Sequence, residues 1–136
     1  MQKPLVAIAV IFVATFSTYC NAMELPPLDR PATVLKDKRT QVYWSTNINP
    51  DCSPMGETVV RIIKPAKRGK IEVEDGEGHT AFKPDVQRYK CNEKRLPGKS
   101  VFYEPASGFT GTDQAELEYF LANGMTRKVR FKITVK

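Results

Sequence analysis

The sequence is poor in the residues on which most enzyme active sites depend. It has one histidine and three cysteines, and it contains no serine-centred nucleophile motif, no zinc-ligand spacing and no glycine-rich phosphate loop. Glu72 and Glu74 are two residues apart on one strand face, as in the paired carboxylates of glycosidases, but this spacing is also common among solvated residues. We therefore predict that the chain is not an enzyme and holds no metal or cofactor.

Two further absences narrow the fold and the function. After the first 16 residues no hydrophobic run is long enough to cross a bilayer, which takes about 20 residues, and no amphipathic helical pattern of useful length occurs. The basic residues are not interleaved with aromatic residues that could stack on bases. We therefore expect an all-β protein that does not bind nucleic acid and has no stable transmembrane insertion once its N-terminal segment is removed.

The N-terminus has the pattern of a secretory signal peptide. Lys3 precedes an uncharged apolar run at residues 5–16, which is long enough for a signal-peptide core and short for a membrane span. Small residues before a cut after Ala22 predict that residues 1–22 are removed and that the protein is periplasmic or secreted. The alternatives are a transmembrane anchor and a lipoprotein modified at Cys20, although a bulky tyrosine precedes that cysteine.

Removal of residues 1–22 leaves two cysteines, Cys52 and Cys91. An even number of cysteines in an oxidising compartment predicts one disulfide, and closing this loop stabilises the fold by about 4 kcal/mol in the chain-entropy account. Two free thiols or a metal site are the alternatives, and His79 is the only histidine that could complete such a site. The formal net charge of +6 weakly favours anionic partners.

Alternating apolar and polar residues predict about seven short strands in a domain at residues 39–136. Residues 23–38 contain three prolines and no alternation, so they are predicted to form an extended, partly mobile arm. Val42 and Trp44 are predicted to share a strand face, Asp75-Gly76 to form a turn, and residues 79–82 to return antiparallel. The other predicted strands cover residues 57–63, 69–73, 100–103, 113–121 and 125–135.

The last two strands predict their own register. A two-residue turn at Asn123-Gly124 would place Leu117 opposite Arg130 and mix the core and solvent faces. A three-residue loop at residues 122–124, with Gly124 in the left-handed conformation, restores the alternation. The predicted pairs are then Leu117 with Val129, Ala115 with Phe131, Glu116 with Arg130 and Glu118 with Lys128. Each charge pair is expected to be exposed and to contribute about 0.2–1 kcal/mol.

A strand that ends in Tyr103-Glu104-Pro105 is followed by a Gly-Phe-Thr-Gly-Thr-Asp motif at residues 108–113 and by an alternating strand. This arrangement resembles the immunoglobulin-like and cadherin-like β-sandwich repeats of bacterial surface proteins, over roughly residues 57–136. The resemblance implies an immunoglobulin-like β-sandwich of about seven strands, here as a stand-alone exported domain. The predicted structural residues of the motif and of the closing hairpin are Gly108, Phe109, Gly111, Asp113 and Gly124.

In relatives with calcium sites, acidic residues at strand ends serve as ligands, so the resemblance offers Asp75, Glu77 and Asp113 as loose candidates. A calcium site needs six to eight oxygen ligands, and this sequence lacks a dense run of acids. We therefore predict no metal site.

Residues 83–99 interrupt the strand pattern and contain six basic residues and Cys91. A long loop inside a compact domain is usually functional or mobile, and the predicted disulfide would order this one. We predict a non-catalytic binding module whose basic loop contacts an anionic glycan or lipid of the cell envelope, or an acidic protein. The alternative is a solvated loop that its lysines keep soluble. The candidate binding residues are Arg88, Tyr89, Lys90, Lys94 and Arg95.

Two other functions are compatible with the sequence. In a structural or assembly component, an exposed sheet edge or the arm at residues 23–38 would pair with another protein. In a secreted protease inhibitor, Arg95-Leu96-Pro97 would be presented on an exposed loop.

Overall fold

The computed structural model describes residues 25–136, so the predicted signal peptide at residues 1–22 lies outside the described residues. Within them the chain forms seven strands and one 3-10 helix. Their bounds are β1 Leu28–Val34, β2 Thr40–Ser45, β3 Val59–Lys64, β4 Gly69–Gly78, the 3-10 helix Gln87–Glu93, β5 Leu96–Pro105, β6 Gly111–Phe120 and β7 Thr126–Val135.

The strands form two sheets, with the order β1-β7-β6-β3 in one and β2-β5-β4 in the other. β1 pairs with β7 in parallel, and the other neighbours are antiparallel. Strands two to seven are thus divided between the sheets as in the immunoglobulin fold, where the second, fifth and fourth strands face the third, sixth and seventh. The predicted all-β, immunoglobulin-like sandwich of seven strands is confirmed.

The main core lies between the two sheets and follows the period-two alternation of their strands. Apolar side chains at every second position are buried, because they face the opposite sheet, and their burial is the main favourable contribution to folding. The members of this cluster are Val34, Ile71, Val101, Tyr103, Ala115, Leu117, Tyr119, Val129, Phe131, Ile133 and Val135.

The β6–β7 hairpin has the predicted register. Leu117 lies opposite Val129 and Ala115 opposite Phe131, and the loop at residues 122–124 has Gly124 at φ 83°. The prediction that the outer charge pairs are exposed is wrong for their carboxylates. Glu116 is only 4% and Glu118 only 8% exposed, because long basic side chains of β3 and β7 lie over them.

The predicted turn at Asp75-Gly76 and the predicted strand at residues 79–82 are wrong. β4 continues through Gly76 to Gly78 and pairs along its whole length with β5, which begins at Leu96. A Cβ at Gly76 would clash with Oγ of Ser100, and one at Gly78 would lie 2.7 Å from the ring of Trp44. These glycines permit close approach of side chains and do not reverse the chain.

β2 departs from simple alternation because of a bulge. The register with β5 shifts between Gln41 and Tyr43, and a bulge changes the face on which the following side chains lie. Tyr43 consequently packs against the main core, while Trp44 packs against a second, smaller cluster. The prediction that Val42 and Trp44 share a face is wrong, since Val42 contacts the main core.

The boundary predicted at residue 39 also needs correction. Residues 28–34 belong to the sandwich as β1, so only part of the predicted arm at residues 23–38 lies outside the sheets. The alternation of this strand was obscured because one of its half-buried positions is Arg30. Pro31 is tolerated because β1 is at a sheet edge, where a strand needs no backbone donor on its outer side.

Candidate functional site

Two connections form a cap at one end of the sandwich: residues 46–58 between β2 and β3, and residues 79–95 between β4 and β5. The disulfide between Cys52 and Cys91 joins them, with the Cα atoms 5.4 Å apart. The predicted pairing of these cysteines is confirmed. A disulfide of this kind indicates an oxidising environment outside the cytoplasm.

The cap has a small core of its own. Ile48, Cys52, Cys91 and Leu96 are buried together, and Trp44 and Phe82 pack against them. By strand alternation, Leu96 and Gly98 of β5 face away from the buried Val101 and Tyr103. At this end of the sandwich the cap therefore packs on the outer face of the three-stranded sheet.

Asn92 fastens the two ends of residues 79–95 together. Its side-chain amide donates to the carbonyl of Phe82 over 2.9 Å, and its side-chain oxygen accepts from the Phe82 N–H over 3.0 Å. The hydroxyl of Thr80 donates to the same oxygen over 2.8 Å. The sequence analysis missed this residue, because a single asparagine beside a cysteine carries no spacing signal for a long-range contact.

Two of the five predicted binding residues have intramolecular partners. Arg88 donates from Nε to the carbonyl of Ile48 over 3.0 Å, which ties one half of the cap to the other. Arg95 pairs with Glu77 of β4 at 2.9 Å. Arg88 and Cys91 are three residues apart in the 3-10 helix and therefore face the same way, toward the cap core.

The other three predicted residues, Tyr89, Lys90 and Lys94, face solvent. Tyr89 is 49% exposed, which is unusual for a large aromatic side chain without a partner. Neither lysine forms an ion pair within residues 25–136. We call these three residues the cap surface.

An acidic neighbour lies close to the cap surface. Hydrogen bonds from Ser53 lower the pKa of the Asp51 carboxyl, and the charge of Lys90 lowers it further. Asp51 therefore stays ionised and compensates part of the positive charge on this side of the cap.

The motif residues predicted from the sequence lie at the opposite end of the sandwich. Gly108 and Gly111 have φ angles of 73° and 130°, which favour glycine, and Phe109 packs against the main core. The carboxylate of Asp113 accepts from the backbone N–H groups of Lys67 and Arg68 over 3.1 and 2.8 Å. These contacts give the motif a structural role.

The loose calcium candidates do not converge. Asp113 is engaged by the loop between β3 and β4, whereas Asp75 pairs with Lys99 and Glu77 with Arg95 farther along β4. No group of three or more potential metal-ligating side chains occurs among residues 25–136.

The protease-inhibitor alternative required an exposed loop at Arg95-Leu96-Pro97. Leu96 is only 5% exposed, and Leu96 and Pro97 lie in β5, where they pair with β4. The exposed loop on which that alternative depends is therefore absent at Leu96 and Pro97, although Arg95 and Pro97 are themselves exposed.

A second surface lies at the edge of β3. This strand pairs only with β6, so its other edge is unpaired within the described part of the chain. Val59 is 44% and Ile62 38% exposed there.

Comparison of this chain with protein-family models, with curated proteins and with solved structures found no match. Among the described residues, no helix has the length and apolar character needed to span a bilayer.

Proposed function

We propose that this protein is an exported, non-catalytic binding module whose cap surface contacts an anionic glycan or lipid of the cell envelope, or an acidic protein. One observation carries the proposal: Arg88 ties the two halves of the cap together and Arg95 pairs with Glu77, while Tyr89, Lys90 and Lys94 are exposed on the same short segment and form no ion pair among the described residues.

The construction of the cap favours recognition. The disulfide, the Asn92 hydrogen bonds and the Arg88 contact fix the segment before a partner arrives. A preorganised loop loses less conformational entropy on binding. Tyrosine is enriched among the residues that dominate binding energies, and the two lysines favour an anionic partner.

The test is a charge reversal with a matched control. The variant Lys90→Glu/Lys94→Glu should lose sedimentation with phosphatidylglycerol vesicles and recovery of envelope components in a pulldown. The control variant Lys36→Glu/Lys38→Glu makes the same change in net charge in the connection between β1 and β2, at the other end of the sandwich, and should keep both. Equal behaviour of the two variants would refute the cap surface as the binding site.

Arg88 and Arg95 are unsuitable for this test, because both have structural partners. Reversing the charge of Arg88 would remove its bond to Ile48 and loosen the cap. A loss of binding would then report on folding and not on contact with the partner.

Export to the periplasm or the exterior is the second part of the proposal. The signal-peptide pattern at residues 1–22 and the disulfide support it, as does the resemblance to repeats of bacterial surface proteins. N-terminal sequencing of the protein from its native source should give Met23 as the first residue. An uncut Met1 terminus in the cytoplasmic fraction would contradict it.

A second candidate function is assembly through the edge of β3. An unpaired strand edge with exposed apolar side chains can add a strand from another chain. The variant Ile62→Lys should abolish such an association, whereas Lys70→Ala on the charged edge strand β4 should not. Chemical crosslinking of the native envelope, followed by mass analysis, would measure it.

Deletion of the whole N-terminal arm would not test the role of the arm alone. Removal of residues 23–37 would also remove β1 and disturb the sandwich. Deletion of residues 23–27 leaves β1 intact, so a loss of association in that variant would assign assembly to the arm.

A further inference from the structure

A cleft of about 270 Å³ lies between the two sheets, beside the cap and apart from the cap surface. Its walls come from β1, β2, β6 and β7 and from the cap connection at residues 46–58, and aromatic rings of Tyr43, Tyr119 and Phe120 line it. The volume is near the lower limit of about 300 Å³ for small-molecule sites. The cleft therefore suits a small ligand with an apolar body.

Three polar atoms of the residues that line this cleft are buried and have no hydrogen-bond partner within the described chain. They are Nε of Arg30, Oγ of Ser45 and the phenol oxygen of Tyr119. Buried polar groups are nearly always paired, and leaving one unpaired costs about 1–3 kcal/mol. Three such atoms in residues around one cleft indicate a bound group that supplies their missing hydrogen-bond partners.

The charge of the residues that line the cleft indicates the charge of that group. Arg30 and Arg127 line the cleft, and no Asp or Glu among residues 25–136 does. The guanidinium of Arg30 lies 4.2 Å above the ring of Tyr43 and donates to its hydroxyl over 3.3 Å, so its orientation is fixed. Burial raises the pKa of Tyr119, which keeps its hydroxyl protonated and able to donate. Hydrogen-bond donors and positive charge predominate.

The position of Arg30 in its strand supports a binding role. It is half-buried, two residues before the partly buried Ala32 and four before the fully buried Val34, on the face of β1 that meets the core. An arginine is uncommon at such a position, and departures from the expected burial pattern concentrate at functional sites.

We propose that this cleft binds a small organic acid, with its carboxylate held by Arg30, Tyr119 and Ser45 and its apolar body against Tyr43 and Phe120. The site is independent of the cap surface, because none of the three cap-surface residues lines it. The three polar atoms are shielded from solvent, so small shifts of their side chains must expose them to the cleft when the ligand binds.

The test is a titration of the purified protein with benzoate, followed by calorimetry and by nuclear magnetic resonance. Saturable binding, with shifts of the Arg30 and Tyr119 resonances, is expected. Tyr119→Phe and Arg30→Gln should each weaken binding about tenfold or more. Benzamide has the same shape without the charge and should not bind measurably.

The control variant is Tyr103→Phe, which removes a buried hydroxyl that is paired with Asp113 and lies outside the cleft. It should bind benzoate like the unmodified protein. Three results would each overturn the proposal: no saturable binding of benzoate, equal binding of benzamide, or unchanged affinity in both cleft variants. Loss of binding to the Lys90→Glu/Lys94→Glu variant would likewise contradict an independent site.

Discussion

The hydroxyl of Tyr103 donates to Oδ2 of Asp113 over 2.9 Å, and this bond joins the two sheets near the end opposite the cap. The same carboxylate accepts from the backbone N–H groups of Lys67, Arg68 and Gln114. Burial, together with this bond to Asp113, raises the pKa of Tyr103. One aspartate thus holds the turn between β3 and β4 and accepts the hydrogen bond of a buried tyrosine.

Asp113→Ala is expected to lower the free energy of unfolding by about 3 kcal/mol, because it removes a charged acceptor and leaves the Tyr103 hydroxyl buried without a partner. Tyr103→Phe should cost only about 1 kcal/mol, since the Asp113 carboxylate keeps its three backbone N–H donors and no unpaired hydroxyl remains. Urea denaturation measures both. A smaller loss in Asp113→Ala than in Tyr103→Phe would contradict this role of Asp113.

Glu116 should make the stability depend on acid pH. Hydrogen bonds from Lys64 and Arg130, at 2.9 Å each, lower its pKa from the ordinary value of 4.5. A lowered pKa in the folded state means that the contribution is present above pH 4.5 and is lost as the pH falls through the folded value.

In Glu116→Gln, the free energy of unfolding should therefore fall less steeply below pH 4.5 than in the unmodified protein. Glu93→Gln, which removes one exposed carboxylate, is the control for the change in net charge. Urea midpoints across the acid range give the comparison. Identical slopes for Glu116→Gln and the unmodified protein would contradict a contribution of Glu116 to the pH dependence of stability.

The disulfide should stabilise the cap more than the sandwich. In Cys52→Ala/Cys91→Ala we expect a loss of about 2–4 kcal/mol, since the bridge closes a loop with a sequence separation of 39 residues. Hydrogen exchange should show faster exchange at Phe82 and Lys94 in the cap, while β6 and β7 stay protected. Equal loss of protection throughout the domain would contradict a separately held cap.

The sequence predicted those parts of the fold that follow from local alternation. The β6–β7 hairpin is the clearest case, because a single register keeps Leu117 and Val129 on the core side. The Cys52–Cys91 bridge was predictable because these are the two cysteines that remain once the predicted signal peptide is removed. Both inferences need only chain-local information and the constraint that apolar side chains are buried.

The errors have long-range causes. β1 is not predictable from alternation because Arg30 breaks its apolar pattern. The prediction of a turn at Gly76 is wrong because this position needs glycine for close packing against Ser100. Which cations of the basic loop have an intramolecular partner depends on Ile48 and Glu77, which are distant in sequence from Arg88 and Arg95. The spacing of residues along the chain does not predict such long-range contacts.

The most direct test of the cap surface is site-specific photo-crosslinking in the native envelope. A benzophenone side chain at position 89 replaces Tyr89, which is 49% exposed, and one at position 35 replaces Leu35, which is 56% exposed beyond the end of β1, away from the cap. A discrete crosslinked product from position 89 and none from position 35 is the predicted result. No product from position 89, or the same products from both positions, would contradict a binding role for the cap.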